Sequence, residues 1–121
     1  MKAVVLHGPG DLRIENIPDP DLPTEGLIIE PVTVGVCGSD VRVWRHGSPR
    51  LTGPQVLGHE VGGIIRASDV VGLPVGTPVA ICPGAPCLEC NACQAGRHNL
   101  CRRRKVLGYD TPGGMAEMRP R

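Results

Sequence analysis

The sequence predicts a mainly β domain, an antiparallel and barrel-like structure, on three observations. The 121 residues include 17 Gly and 13 Pro, which favour many turns and short strands. Apolar residues make up 40% of the chain but include no Phe, so Val, Leu and Ile would fill one modest core. Four cysteines between positions 87 and 101 indicate one excursion from the barrel that is held together by its own ligands or bonds.

The chain opens with a predicted hairpin. Residues Lys2–His7 alternate as a strand, Gly8–Asp11 form a tight turn, and Leu12–Asn16 return. The next ten residues, 17–26, contain three prolines and are predicted to be a loop.

A long strand is predicted from Leu27 to Val36, with Pro31 at a bulge or a sheet edge. A short helix over Asp40–His46 follows, capped by Ser39 or Asp40. Further strands are predicted at Val61–Arg66 and Val79–Ile81.

Charge and hydropathy exclude several classes of partner. A net charge of +1 argues against nucleic acid or an anionic membrane as a general partner. The basic run from Arg97 to Lys105 lacks interleaved aromatic residues and is interpreted as a solvated surface. No apolar run reaches the length of a membrane span, and the start does not resemble a secretory leader. Thiols suited to a metal then favour a cytoplasmic location.

Cys87, Cys90, Cys93 and Cys101 are separated by two, two and seven residues. This spacing favours tetrahedral Zn²⁺, because turns of this length aim neighbouring thiolates at one point. Two alternatives stay open. Disulfides are one, and an iron–sulfur cluster is the other, although that motif calls for a fourth cysteine three residues on, followed by proline. A site of four thiolates is closed, so its role would be structural.

Cys37, His59 and Glu60 form a second set with metal chemistry. Taken alone, Cys37 is typical of a buried thiol and His59 of a loop histidine. A zinc site with few protein ligands, however, keeps a position open for a substrate oxygen.

The order VGVCGSD, then GHE, then the four cysteines resembles the zinc-dependent medium-chain alcohol dehydrogenases. Within that family, the segment VCGSDVRVWRHG is most similar to the sorbitol and polyol dehydrogenase branch. The resemblance implies a GroES-like, partly open β-barrel over residues 1–121, with a structural zinc lobe at 82–105 and a few short helices. It also implies hydride transfer from an alcohol or polyol to NAD(P), and it is compatible with a homo-oligomer.

The resemblance further implies roles for individual residues. Cys37 and His59 match ligands of the catalytic zinc, and Glu60 matches a carboxylate that is a ligand or lies beside it. Asp40 matches the acid that orients the histidine, and Ser39 matches the hydroxyl that passes on the substrate's proton. The structural zinc would be held by Cys87, Cys90, Cys93 and Cys101.

Several features depart from that family. No G-x-G-x-x-G motif is present, so a cofactor-binding Rossmann domain is absent from these residues and NAD(P) is expected only for a full-length relative. Arg42 stands where many members place the histidine that ends the proton relay. Cys82, where polyol enzymes often carry Glu, is interpreted as a buried thiol. Residues 118–121 do not continue the expected strand, and we interpret the chain as an N-terminal fragment.

The sequence therefore predicts the catalytic-domain portion of a zinc-dependent, NAD(P)-linked alcohol or polyol dehydrogenase, inactive on its own. The alternative is a non-catalytic zinc-binding barrel, a remnant of such an enzyme.

Overall fold

The computed structural model describes residues 1–117, and these contain two three-stranded antiparallel sheets and one two-stranded sheet. The strands in chain order are β1 (Lys2–Gly8), β2 (Asp11–Asn16), β3 (Leu27–Gly35), β4 (Gln55–Val56), β5 (Glu60–Ser68), β6 (Pro78–Ala80), β7 (Gly84–Ala85) and β8 (Lys105–Val106). The helices are α1 (Gly38–His46), α2 (Asn91–Gln94) and a 3₁₀ turn (His98–Leu100). The mainly β, partly open architecture predicted from the sequence is confirmed.

The first sheet has the order β2-β1-β4 and contains the predicted hairpin. The second has the order β3-β5-β6, so β3 is an edge strand of this sheet. Its pairing with β5 shifts register between Pro31 and Thr33. The prediction of a bulge or edge at Pro31 is confirmed in both respects. Both positions suit proline, because it has no N–H to donate to a ladder.

Small aliphatic side chains form the core, as the absence of Phe requires. One cluster joins Ala3, Val5 and Val56, and another joins Leu6, Val43 and Leu57. Val43 comes from α1, so this helix is packed onto the first sheet by its buried face.

The segment after β8 returns to this sheet and closes one side of the core. The Val4 N–H donates to the Met115 carbonyl at 2.8 Å, and the Met115 N–H donates to the Leu57 carbonyl at 2.9 Å. At Gly113 a side chain would collide with the Leu57 backbone, so glycine permits this close approach. The local sequence pattern predicts no strand here, because the hydrogen-bonding partners lie more than fifty residues away in the chain.

One local prediction was wrong, and several short elements were not predicted. Helix α1 begins at Gly38 with Cys37 as its N-cap, not Ser39 or Asp40; Asp40 instead lies in the first turn and reaches back to the Cys37 N–H. Strands β7 and β8 and helix α2 were not predicted. They are two to four residues long and depend on pairing and turns around the cysteines, so they have no periodic signal.

Candidate metal centres

Cys37 and His59 are brought together by the β3–β5 pairing. In this antiparallel ladder Gly35 lies opposite Glu60. Cys37 follows the end of β3 by two residues, and His59 immediately precedes β5, so the two side chains meet at one end of the sheet. Gly58 adopts a positive φ of 92° just before His59, a conformation that favours glycine and turns the chain into β5.

Cys37, His59 and Glu60 form a candidate metal site. The three residues each offer a ligand atom, and these atoms lie within 4.8 Å of one another. Cys37 and His59 are half-buried, whereas Glu60 is exposed. One soft thiolate, one imidazole and one carboxylate are donors that Zn²⁺ accepts, and the exposed side leaves room for a further ligand.

Asp40 lies behind Cys37 and His59, the two less exposed candidate ligands. Its side chain is only 4% exposed, and its Oδ2 accepts a hydrogen bond from the Cys37 N–H at 3.0 Å. Its Oδ1 lies 3.4 Å from His59 Nδ1, at ion-pair distance but outside hydrogen-bond geometry, and both atoms are buried without another partner. Such a pair satisfies itself if the imidazole turns slightly and donates its Nδ1–H, which leaves Nε2 free for a metal.

Ser39 lies beside the other ring nitrogen. Its Oγ is 3.4 Å from His59 Nε2. The hydroxyl is therefore next to the side of the imidazole that would face a metal. The structure thus brings together all five residues that the sequence predicted for this site, namely Cys37, Ser39, Asp40, His59 and Glu60.

The four cysteines of the lobe form the second candidate site. The Sγ–Sγ distances are 3.5 Å for Cys90–Cys93, 3.5 Å for Cys87–Cys101 and 4.0 Å for Cys87–Cys93. Four thiolates around zinc, with Zn–S bonds of about 2.3 Å, have Sγ–Sγ separations of roughly 3.8 Å. A disulfide would need about 2.05 Å, so these free thiols fit a metal and not bonds to one another.

Backbone N–H groups and burial shift the pKa values of the lobe's thiols in opposite directions. Backbone N–H groups of Glu89 and Cys90 face the Cys87 sulfur and lower its pKa to about 6. Leu88, with a positive φ of 60°, makes the turn that aims them. Burial acts oppositely on Cys93 and raises the pKa of its thiol to about 12. A bound cation would hold all four as thiolates, since coordination deprotonates a thiol.

Cys82 belongs to neither site. The prediction of a buried thiol is wrong, because Cys82 is exposed. It lies just before β7, where the chain leaves the barrel and no element among residues 1–117 covers it.

Sequence reasoning missed Tyr109 and Arg50. The Tyr109 ring centroid lies 6.2 Å from that of His59 at an angle of 49°, and the Arg50 guanidinium lies 5.1 Å from the Tyr109 ring. The one available signal in the sequence for a special role of Tyr109 was that it is the only tyrosine in the chain.

A cavity of about 550 Å³ opens elsewhere, beside β3 and the returning segment. Its apolar lining includes Leu27, Ile29, Val61 and Ile81, but none of the candidate ligands. The chemistry of the donors, rather than the size of a cavity, therefore marks the functional site. No helix within residues 1–117 is long and apolar enough to cross a membrane.

This fold and these two donor sets define a mainly β domain with two candidate metal centres. The chain belongs to the family described as alcohol dehydrogenase GroES-like domain, whose profile matches residues 23–120. The family predicted from the sequence is thus confirmed.

Individual relatives agree with this family assignment. The chain is 42% identical over 119 residues to sorbitol dehydrogenase of Bombyx mori, covering 93% of this chain and 34% of that protein. It is 34% identical over 121 residues to a zinc-type alcohol dehydrogenase-like protein of Haemophilus influenzae, covering 98% of this chain and 35% of that one. Galactitol-1-phosphate dehydrogenase from Escherichia coli superposes with a TM-score of 0.86 at 31% identity, over 97% of this chain and 34% of that structure. The chain therefore spans about a third of the length of the curated relatives it matches.

Proposed function

We propose that this chain is the catalytic-domain portion of a zinc-dependent, NAD(P)-linked alcohol or polyol dehydrogenase. The observation that carries the proposal is the convergence of Cys37, His59 and Glu60 within 4.8 Å, with Asp40 buried behind the histidine. The domain would comprise residues 1–121, with the structural zinc lobe at 82–105 and no cofactor-binding Rossmann domain among them.

Cys37 and His59 would hold the catalytic zinc, with Glu60 as a ligand or near-ligand on the exposed side. When bound, zinc supplies Lewis-acid chemistry that lowers the pKa of an alcohol. Asp40 would fix the imidazole so that Nδ1 carries the proton and Nε2 points outward. It also accepts from the Cys37 N–H, so one carboxylate orients both ligands.

Ser39 would relay the proton released from the substrate hydroxyl, accepting it at Oγ while its own hydroxyl proton passes to the next carrier, because its Oγ lies beside His59 Nε2. Arg42, one turn further along α1, is exposed. A guanidinium stays protonated and cannot take up that proton, so the next carrier must be water or another side chain.

The substrate would be a small alcohol or polyol, as the names of the sorbitol dehydrogenase relatives suggest. NAD(P) would bind a full-length relative, since residues 1–121 contain no dinucleotide-binding glycine motif. Turnover is therefore expected from the longer protein and not from these residues alone. The thiolates require a reducing compartment, and we expect the cytoplasm.

Zinc content tests this proposal. Elemental analysis of the purified chain should give about two zinc atoms per molecule, and a Cys37→Ser variant about one. Cys82→Ser is the matched control, because Cys82 is an exposed thiol in neither donor set, and it should retain both atoms.

One zinc atom in the wild type and in Cys37→Ser would contradict the proposed catalytic site. It would favour the alternative of a non-catalytic zinc-binding barrel, in which only the cysteine lobe is loaded.

A further inference from the structure

We infer that Tyr109 is a positioning residue for the ligand His59 and that an Arg50–Asp110 ion pair holds Tyr109 in place. The inference rests on the proposed function, since it gives His59 a metal to bind. In this arrangement the imidazole of His59 has two different neighbours. The Asp40 carboxylate lies beside Nδ1, and the Tyr109 ring braces the imidazole by an aromatic contact.

Tyr109 contacts the parts of the chain that present both inner ligands. Its half-buried ring packs against the cluster of Leu6, Val43 and Leu57. Val43 lies on α1, which starts at the Cys37 cap, and Leu57 lies two residues before His59. The tilted Tyr109 and His59 rings, 6.2 Å apart, are within the range of favourable aromatic contacts.

The turn that carries Tyr109 is fixed by hydrogen bonds on both sides. Asp110 Oδ2 accepts from the Val106 N–H at 2.7 Å, and the Gln55 side-chain amide donates to the Thr111 carbonyl at 2.7 Å. These bonds fix the backbone from which the Tyr109 ring reaches toward His59.

Arg50 covers the outer side of the same ring. Its guanidinium forms an ion pair with Asp110 while it stands 5.1 Å from the Tyr109 ring centroid, a cation–π distance. Since 47% of its side chain is exposed, the ion pair alone stabilises little. The contribution of Arg50 is geometric, because the Tyr109 ring is held between the Arg50 guanidinium and the His59 imidazole.

Without this brace the His59 ring keeps its edge contacts with Asp40 and Ser39 but loses the contact with the Tyr109 ring, and it gains freedom to rotate. A ligand that must be ordered on binding lowers the metal affinity. We expect Tyr109→Leu to weaken Co²⁺ binding at the Cys37–His59–Glu60 site about tenfold, comparable with the loss of other groups that orient a metal ligand. Tyr109→Phe keeps the ring and should stay within about twofold of wild type.

The affinity is read from the Co²⁺ absorption of each variant of the full chain, after subtraction of the same variant carrying Cys37→Ser. Arg50→Gln should weaken binding in the wild-type background and have no added effect in Tyr109→Leu, because it acts through the tyrosine. Arg13→Gln breaks a comparable exposed pair with Asp11 on the hairpin and should change nothing. Equal weakening at the four-cysteine site, or failure of Tyr109→Phe to restore binding, overturns the inference.

A second measurement does not depend on metal. NMR couplings of the His59 side chain in the metal-free chain should show one rotamer in wild type and Tyr109→Phe, and a mixture in Tyr109→Leu. A single rotamer in all three refutes the brace. A wild-type chain that binds no Co²⁺ at this site but shows the rotamer change would refute the proposed function and leave the brace supported.

Discussion

Replacing Asp40 with asparagine reverses the proton arrangement of the candidate catalytic site with almost no change of shape. Asparagine can still accept from the Cys37 N–H through its oxygen, as Asp40 Oδ2 does at 3.0 Å. Its NH₂ group then faces His59 Nδ1, where Asp40 Oδ1 now lies at 3.4 Å. An NH₂ donor requires Nδ1 to be the acceptor, so the proton moves to Nε2, the nitrogen that a metal needs.

The expected loss of metal affinity follows from that tautomer. Metal binding must displace the Nε2 proton and leave a donor facing a donor in a site that is only 4% exposed at Asp40. Losing the group that orients a histidine ligand weakens metal binding by 10–100-fold, or about 1.4–2.7 kcal/mol. We expect Asp40→Asn to lie in this range for Co²⁺ at the Cys37–His59–Glu60 site.

A matched control is Asp69→Asn, because Asp69 Oδ2 also accepts a backbone hydrogen bond, from the Glu25 N–H at 3.0 Å, but touches no candidate ligand. The assay is Co²⁺ titration of both variants, with the four-cysteine site followed in the same spectra. A change of less than about threefold in Asp40→Asn, or an equal loss at the cysteine site, would refute the role given to Asp40.

Three further outcomes are expected. Chelation of the metal should unfold the lobe at 82–105 before the barrel, since only Cys93 and Cys101 are buried there, and hydrogen exchange should rise in the lobe first; simultaneous exchange of both regions would contradict it. Ile65→Ala should lower the free energy of unfolding by about 2–5 kcal/mol, because Ile65 is 0% exposed, whereas Val75→Ala, at an exposed position, should cost little in urea denaturation. Gly63→Ala should cost more than Gly62→Ala, since a Cβ at Gly63 meets the Glu30 backbone carbonyl and one at Gly62 only the Thr33 methyl; equal unfolding midpoints would refute this reading of the β3–β5 contact.

Local features were predictable where their partners are close in sequence. The hairpin of β1 and β2 follows from alternation on both sides of a Gly-rich turn, and its two strands pair as expected. The cysteine site follows from spacing, because turns of two residues dictate where the sulfurs point.

Features that depend on distant pairing were predicted less well. Cys37, Ser39, Asp40, His59 and Glu60 were assigned through family resemblance, since nothing in their spacing places them together. Their convergence requires the β3–β5 register that sets Gly35 opposite Glu60. The cap of α1 was misplaced because Asp40 reaches back to Cys37 from within the helix.

The sequence by itself determined the β architecture and the four-cysteine candidate site, because alternation, turn residues and cysteine spacing act over a few residues. The family followed from the resemblance of its ordered motifs. Only the tertiary structure decided that Tyr109 lies against His59 and that Arg50 and Asp110 hold it there. Those contacts join residues fifty to sixty positions apart, and their energy depends on the packing of the whole barrel end rather than on any local preference.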